Sequence, residues 1–271
     1  MAALITSLQN PQVKLLRALR LRKYREQEGR FLVEGIRIVE EALACAAPVE
    51  TVVYAPDLLV SDRAQALVEQ ANLDHRLALS AEVFRSLSDR DDPQGIAALV
   101  RIENRPLSAL SPSAEMLVVV AYQLSDPGNL GSIIRTADAA GATGVIAVTP
   151  SVDPYDPQTV RATMGSLFAL PVIYPVDAVG LDRWVGEVRA AGVPLCIVAS
   201  SAHGRQDYYE ADYRRPLALL VGNERHGLPP DLRDRADLLV RLPMLGRATS
   251  LNVSAAAAAM VYEIVRQRRR S

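Results

Sequence analysis

Residues 116–140 read MLVVVAYQLSDPGNLGSIIRTADAA, and the organisation of the chain follows from this stretch. Leu117–Tyr122 is an unbroken apolar run of strand length with no polar alternation, the pattern of a strand buried on both faces of a parallel sheet. A polar, glycine-bearing loop (Leu124–Asn129) and a helix to about Ala140 come next. The rhythm then repeats. Strands are predicted at Gly144–Val148, Val172–Tyr174, Leu195–Ala199, Leu217–Val221 and Asp237–Leu242. Helices are predicted around 158–168, 178–191 and 252–268. Strands alternating with helices predict an α/β fold with a parallel sheet covered on both faces. Ligands of such sheets bind beside the carboxyl ends of the strands, so the loops after 122, 148, 199, 221 and 242 are the places to look.

Upstream lies a smaller α/β pattern. Asn10-Pro11 is a helix start with proline at the first helical position, and the predicted helix spans 10–28. Strands at Phe31–Val33, Val52–Tyr54, Leu77–Leu79 and Gly95–Val100 are expected between helices at Gly35–Ala44, Ala64–Gln70 and Ala81–Ser88. Residues 101–115 carry two prolines and three serines without sustained periodicity. The expected division is therefore 1–105, a linker at 106–115, and 116–271.

Composition narrows the function classes. With 271 residues, 49% apolar and 23% charged, the chain can bury a core, and at roughly 150 residues per domain two domains are expected. No apolar run approaches the ~20 residues of a spanning helix. MAALITSLQN lacks the basic and apolar regions of a secretory signal, and Cys45 and Cys196 suit neither a disulfide framework nor a metal pair. A cytoplasmic, membrane-free protein is expected.

The net charge of −1 hides an uneven spread. Residues 10–40 hold eight Lys/Arg against four Glu, 41–105 hold six Arg against eleven acids, and the chain ends in Arg266, Arg268, Arg269 and Arg270. Lys14, Arg17, Arg20, Arg22, Lys23 and Arg25 form either a phosphate-binding patch or a solvated helix face.

The common cofactor and nucleophile signatures are missing. There is no G-x-G-x-x-G, no P-loop, no G-x-S-x-G elbow and no C-x-x-C or H-E-x-x-H. His75, His203 and His226 are widely separated in sequence, which speaks against a histidine-centred nucleophile or a zinc site.

Three loops after predicted strands are instead rich in polar groups. In the first, Ser125–Thr136, Asn129 is expected in the loop as a helix cap and Arg135 in the helix, and the glycines admit an anion. A capped helix with a surface arginine accounts for this segment equally well. The second, Leu220–Leu228, holds Gly222-Asn223-Glu224, where a plain turn with an incidental acid is the alternative. The third, Leu242–Ser254, offers Ser250 and Asn252 as helix caps ahead of the alanine run 255–259.

In this order and at these separations the three segments resemble the signature motifs of the SpoU/TrmH branch of the SPOUT RNA methyltransferases. Asn129 and Arg135 match the first motif, Gly222-Asn223-Glu224 the second and Ser250–Ser254 the third. Arg161–Ser166 is similar to a further family loop. Residues 1–105 resemble the L30e-like substrate-binding domain found ahead of that catalytic domain, through Phe31–Leu43 and Asp91–Val100.

The resemblance implies a parallel-sheet SPOUT domain with a C-terminal trefoil knot, generally a homodimer. It also implies methyl transfer from S-adenosylmethionine to a ribose 2′-hydroxyl of structured RNA, with ribosomal RNA favoured over transfer RNA. Under it, Arg135 stabilises charge developing on the 2′-oxygen and Asn129 orients Arg135 or the ribose. Glu224, Ser250 and Asn252 fix the site, while Gly222, Leu242, Met244, Ser250 and Leu251 hold the cofactor. No metal is expected, because the sulfonium is already an activated donor. Three Phe and one Trp leave little for base stacking as the main grip on RNA. A catalytically idle RNA-binding or assembly factor, and more remotely a nicotinamide-dependent oxidoreductase, are the alternatives.

Overall fold

The computed structural model describes residues 3–71 and 75–269. In chain order its elements begin α1 (Pro11–Ala18), α2 (Arg22–Glu28), β1 (Arg30–Glu34), α3 (Ile36–Ala44), β2 (Val49–Tyr54), α4 (Asp62–Gln70), β3 (Arg76–Ala78), α5 (Ala81–Arg85) and β4 (Ile96–Arg101). They continue with β5 (Leu117–Tyr122), α6 (Pro127–Ala139), β6 (Gly144–Val148), α7 (Pro157–Thr163), α8 (Ser166–Ala169), β7 (Val172–Val176) and α9 (Ala178–Ala190). The remainder are β8 (Cys196–Ser200), β9 (Gln206–Asp207), β10 (Leu217–Val221), α10 (Pro230–Asp234), β11 (Leu238–Arg241) and α11 (Val253–Arg268). Among the described residues no helix is long and apolar enough to cross a membrane.

The chain forms two compact units. One takes the chain up to Glu103 together with Tyr155–Ala169, and the other takes Asn104–Pro154 and the chain from Leu170 onward. The sequence predicts 155–169 within the domain that starts at 116 and a linker at 106–115. In the structure the former segment joins the first unit, and the latter belongs to the second, where Leu110 is a core residue.

The first unit is built on a four-stranded sheet in the order β1-β4-β2-β3, with β4 antiparallel to both neighbours and β3 parallel to β2. Strand β4 is buried from Ile96 to Val100, because it is central and covered on both faces. Val13, Leu16 and Leu19 pack with Val53, Leu79, Phe84 and Leu99 in one core. Gly95 precedes β4 with φ +70°, and a Cβ there would come within 2.7 Å of the Leu58 Cβ. Only glycine fits both the conformation and the space.

The continuous helix expected over 10–28 is instead two helices broken at Leu19–Leu21. The Arg25 side chain causes the break to hold. It donates to the carbonyls of Leu19 at 2.9 Å and Arg20 at 2.8 Å, groups that a helix end leaves without partners.

Arg25 also faces Asp156 at 3.6 Å and is 1% exposed, so it is a structural cation and its assignment to phosphate contact is corrected. Phe31 of β1 packs its ring on Tyr155 and Phe168, at 4.9 and 6.2 Å between centroids. The segment 155–169 thus completes the first unit's core.

The second unit holds a seven-stranded sheet in the order β7-β6-β5-β10-β8-β11-β9, and every pairing is parallel. The α/β expectation is met. Strands β5, β6 and β10 are buried along almost their whole length, which is why they read as unbroken apolar runs. From β5 the chain moves to one side through β6 and β7, and β10 later fills the other side of β5. The strand order therefore reverses between β5 and β10, where an open parallel sheet forms its crevice.

Candidate functional site

The loops after β5 and β10 are tied together over this crevice. The Glu224 carboxylate accepts hydrogen bonds from the Ser125 backbone N–H at 3.0 Å, the Ser125 hydroxyl at 2.8 Å and the Asp126 N–H at 3.1 Å. A fourth comes from the Asn129 amide nitrogen at 3.0 Å. Burial alone would raise this carboxyl's pKa, but the hydrogen bonds from Asn129 and Ser125 outweigh burial and hold it down to about 2. Glu224 is thus ionised and has its lone pairs occupied. Its work is to clamp two loops, and it is a poor proton acceptor.

Asn129 extends the clamp to the third loop, its carbonyl oxygen accepting from Asn252 Nδ2 at 2.9 Å. Asn252 in turn caps α11, its own oxygen accepting from the Ser254 N–H at 2.9 Å and the Ser254 hydroxyl at 2.6 Å. Glu224, Asn129 and Asn252 therefore form one hydrogen-bonded chain, and the three sequence motifs meet in space. Asn129 does not cap α6 as expected. Asp126 does, accepting from the Asn129 N–H at 2.8 Å, with Pro127 at the first helical position. Asn129 sits inside the helix, 8% exposed.

A second clasp closes the same edge. Asn223 Nδ2 donates to the Gln123 carbonyl at 2.7 Å, and the Asn223 oxygen accepts from the N–H groups of Arg225 and His226. Asn223 and Gly227 exchange backbone hydrogen bonds at 3.1 and 2.9 Å. The resulting turn lies so tightly on Gly222 that a Cβ there would meet the Gly227 carbonyl carbon and, at 2.5 Å, the Leu228 nitrogen. Glycine at 222 is a requirement of packing as well as of access.

These loops wall a cleft of about 1250 Å³. Gly222, Glu224, Leu242, Met244, Ser250, Leu251 and Asn252 line it, as do Ser200, Ser201 and Pro150–Val152. All five loops singled out from the sequence contribute. Leu242 and Met244 are half-buried and Leu251 is 47% exposed, an apolar surface suited to the faces of a flat heterocycle beside backbone donors and acceptors. Glu224 is the sole acid among the lining residues and is fully engaged, whereas Arg225 and Arg233 contribute positive charge. Sequence reasoning missed Ser125, Asn223 and Arg233. The Asp126-Pro127 pair was the available signal for the true helix start.

Arg135 is not among the residues lining the cleft. It lies six residues beyond Asn129, exposed on α6, and its side chain makes no hydrogen bond or ion pair with another described residue. The Arg161–Ser166 loop belongs to the first unit. There Gly165, at φ +103°, abuts Glu41, whose Cγ would lie 2.6 Å from a Cβ.

The other basic groups divide sharply. Arg17 donates to the Ser86 hydroxyl at 3.0 Å, and Arg20 donates to the Leu87 and Ser88 carbonyls and pairs with Asp89 at 3.0 Å. Arg22 pairs with Glu26 one turn along α2, while Lys14 and Lys23 are exposed. Near the C-terminus Arg266 pairs with Glu263, and Arg268 donates to the carbonyls of Tyr213, Glu115, Met116 and Arg215. Arg269 is exposed, and Arg270 lies outside the described residues.

A parallel sheet whose loops converge on one large cleft at its strand-order reversal defines an α/β protein with its ligand-binding crevice at that point. Comparison with known proteins specifies the class further. The SpoU rRNA Methylase family matches residues 116–262, and the MRM3-like substrate binding domain matches residues 10–98. The chain belongs to the SpoU rRNA Methylase family.

It is 36% identical over 248 residues to the 23S rRNA (uridine(2479)-2′-O)-methyltransferase of Streptomyces viridochromogenes, covering 91% of this chain and 86% of that one. It is 34% identical over 260 residues to the 23S rRNA (guanosine(2553)-2′-O)-methyltransferase RlmP of Bacillus subtilis, covering 96% and 98%. Among solved structures, the SpoU methyltransferase AviRb from Streptomyces viridochromogenes in complex with the cofactor AdoMet superposes with a TM-score of 0.90. That pair is 35% identical, with 96% of this chain and 99% of that chain covered.

Proposed function

We propose that this protein transfers a methyl group from S-adenosylmethionine to a ribose 2′-hydroxyl of 23S ribosomal RNA. The observation that carries the reading is the Glu224–Asn129–Asn252 chain, which joins the three motif loops around a cleft of nucleoside-cofactor size. Ribosomal RNA is preferred to transfer RNA because both relatives named above act on 23S rRNA. The setting is then the cytoplasm.

The residues present fit the cofactor. Gly222 and its neighbours offer backbone groups, Leu242, Met244 and Leu251 offer apolar flanks, and Ser250 offers a hydroxyl. When bound, the cofactor supplies an activated methyl on its sulfonium. The chain's own task is to align the ribose oxygen and to stabilise the negative charge that develops on it. Arg135 performs the second task as a hydrogen-bond donor and a fixed positive charge. It does not accept the proton, since a guanidinium stays protonated.

Arg135 stands apart from the cleft lining, so it serves the cleft of a second copy, and the working unit is a homodimer. The exposed Leu245, Leu251 and Tyr262 around the third loop and α11 support such an interface. The family's trefoil knot is expected toward the C-terminus. Of the six basic residues singled out on the first unit, Lys14 and Lys23 are the two left for phosphate.

The test is incubation of the protein with methyl-labelled S-adenosylmethionine and separated ribosomal and transfer RNA pools, followed by mapping of 2′-O-methyl stops by primer extension. Label confined to one ribose of 23S rRNA is the expected result. Label in tRNA would redirect the substrate, and none in either pool would overturn the reading.

A further inference from the structure

Arg233 projects from α10 into the lining of the cleft. Its Nε is buried and has no hydrogen-bond partner among the described residues, and no acid among them pairs with its guanidinium. The neighbouring arginine is treated differently. Arg235 donates to Asp182 at 2.7 Å and to Asp231 at 3.3 Å, so the acid nearest Arg233 on its N-terminal side is already committed. The one acid among the cleft's lining residues, Glu224, has its carboxylate filled by Ser125, Asp126 and Asn129.

A buried donor without a partner is costly, and native proteins rarely keep one without a use. A guanidinium offers a planar fork of donors matched to a carboxylate or a phosphate. In a cleft whose sole acid already has its oxygens hydrogen-bonded, that fork can accept an oxyanion.

We propose that Arg233 receives an oxyanion of the ligands that the cleft takes. This rests on the methyltransferase reading above, which supplies two such groups: the carboxylate at the methionine end of the cofactor and a phosphodiester beside the target ribose. Both are planar or tetrahedral oxyanions within the geometry of one fork, and they are separated by experiment. The Ser200 and Ser201 segment, at the carboxyl end of β8, lines the same cleft.

The full-length protein and its Arg233→Gln and Arg233→Lys variants are titrated calorimetrically with S-adenosylhomocysteine and with 5′-methylthioadenosine, which lacks the carboxylate. Their binding to protein-free 23S rRNA is measured across a salt series. A carboxylate receptor predicts at least a tenfold loss of S-adenosylhomocysteine affinity in Arg233→Gln, unchanged methylthioadenosine binding, and partial recovery in Arg233→Lys. A phosphate receptor predicts unchanged binding of both nucleosides, weaker RNA binding, and a salt slope smaller by about one.

Arg233→Gln with wild-type affinity for all three ligands would overturn the assignment and leave the methyltransferase reading intact. Equal loss of both nucleosides would also overturn it, by marking Arg233 as part of the fold. Wild-type protein that binds neither nucleoside would bring down both proposals together.

Discussion

Asn129 donates its amide hydrogen to Glu224 at 3.0 Å across 95 residues of chain, and the same amide group accepts from Asn252. One carboxamide thus uses its donor on one loop and its acceptor on another. No isosteric side chain does both, because aspartate accepts only and leucine does neither.

Asn129→Asp therefore sets a carboxylate against an ionised Glu224, and Asn129→Leu strands both partners. Each variant is expected to lose about 1–3 kcal/mol of stability in urea denaturation, the cost of a buried polar group left unpaired. Each is also expected to lose S-adenosylhomocysteine binding as the three loops part. Normal nucleoside affinity in Asn129→Asp would show that the loops hold without it.

The low pKa of Glu224, about 2 against an ordinary 4.5, has a pH signature. A carboxyl whose folded value lies below its unfolded one contributes stability above the unfolded value and loses it as pH falls toward the folded value. The stability gap between wild type and Glu224→Gln is expected to be constant from neutral pH to about 5 and to close between about 4.5 and about 2. Urea denaturation at a series of pH values measures it.

Arg135→Ala and Asn252→Ala are each expected to be inactive. If Arg135 serves the cleft of the second copy, mixing the two and letting them exchange creates heterodimers with one intact site, and about a quarter of wild-type activity returns. A mixture that stays inactive at all ratios would place Arg135 and the cleft it serves in the same chain.

The basic residues of the first unit separate by burial. Arg25→Met removes the ligand of two helix-end carbonyls and the partner of Asp156, and is expected to destabilise the protein by about 3–5 kcal/mol. Lys14→Ala and Lys23→Ala are expected to leave stability unchanged while each reduces the salt slope of RNA binding by about one. Melting curves and salt-dependent filter binding distinguish the two behaviours.

What the sequence made legible follows physical range. Leu117–Tyr122 and Leu217–Val221 were readable to their ends because burial on both faces writes itself as an uninterrupted apolar run. The cap on α11 was readable because Asn252 and the N–H groups it accepts from lie within three residues. The break between α1 and α2 was not, since it depends on Arg25 reaching back to two carbonyls past a stretch of good helix formers. Helix α10 and strand β9 are too short to show a period. The Glu224 clamp joins groups up to 99 residues apart, and nothing local separates an acid that ties loops from one that meets a ligand. Arg233 was invisible for the same reason, as its lack of a partner is a property of the folded surroundings.

The segment Tyr155–Ala169 was described above as completing the core around Phe31 and Arg25. It follows that the substrate-binding module is not a bead that can be cut from the front of the string. Expressed alone, residues 1–105 would expose the ring face of Phe31 that packs on Tyr155 and Phe168, and Arg25 would keep its two carbonyls but lose Asp156. An exchange of RNA specificity between relatives would have to graft two stretches of gene, the leading one and the fifteen codons lodged between β6 and β7.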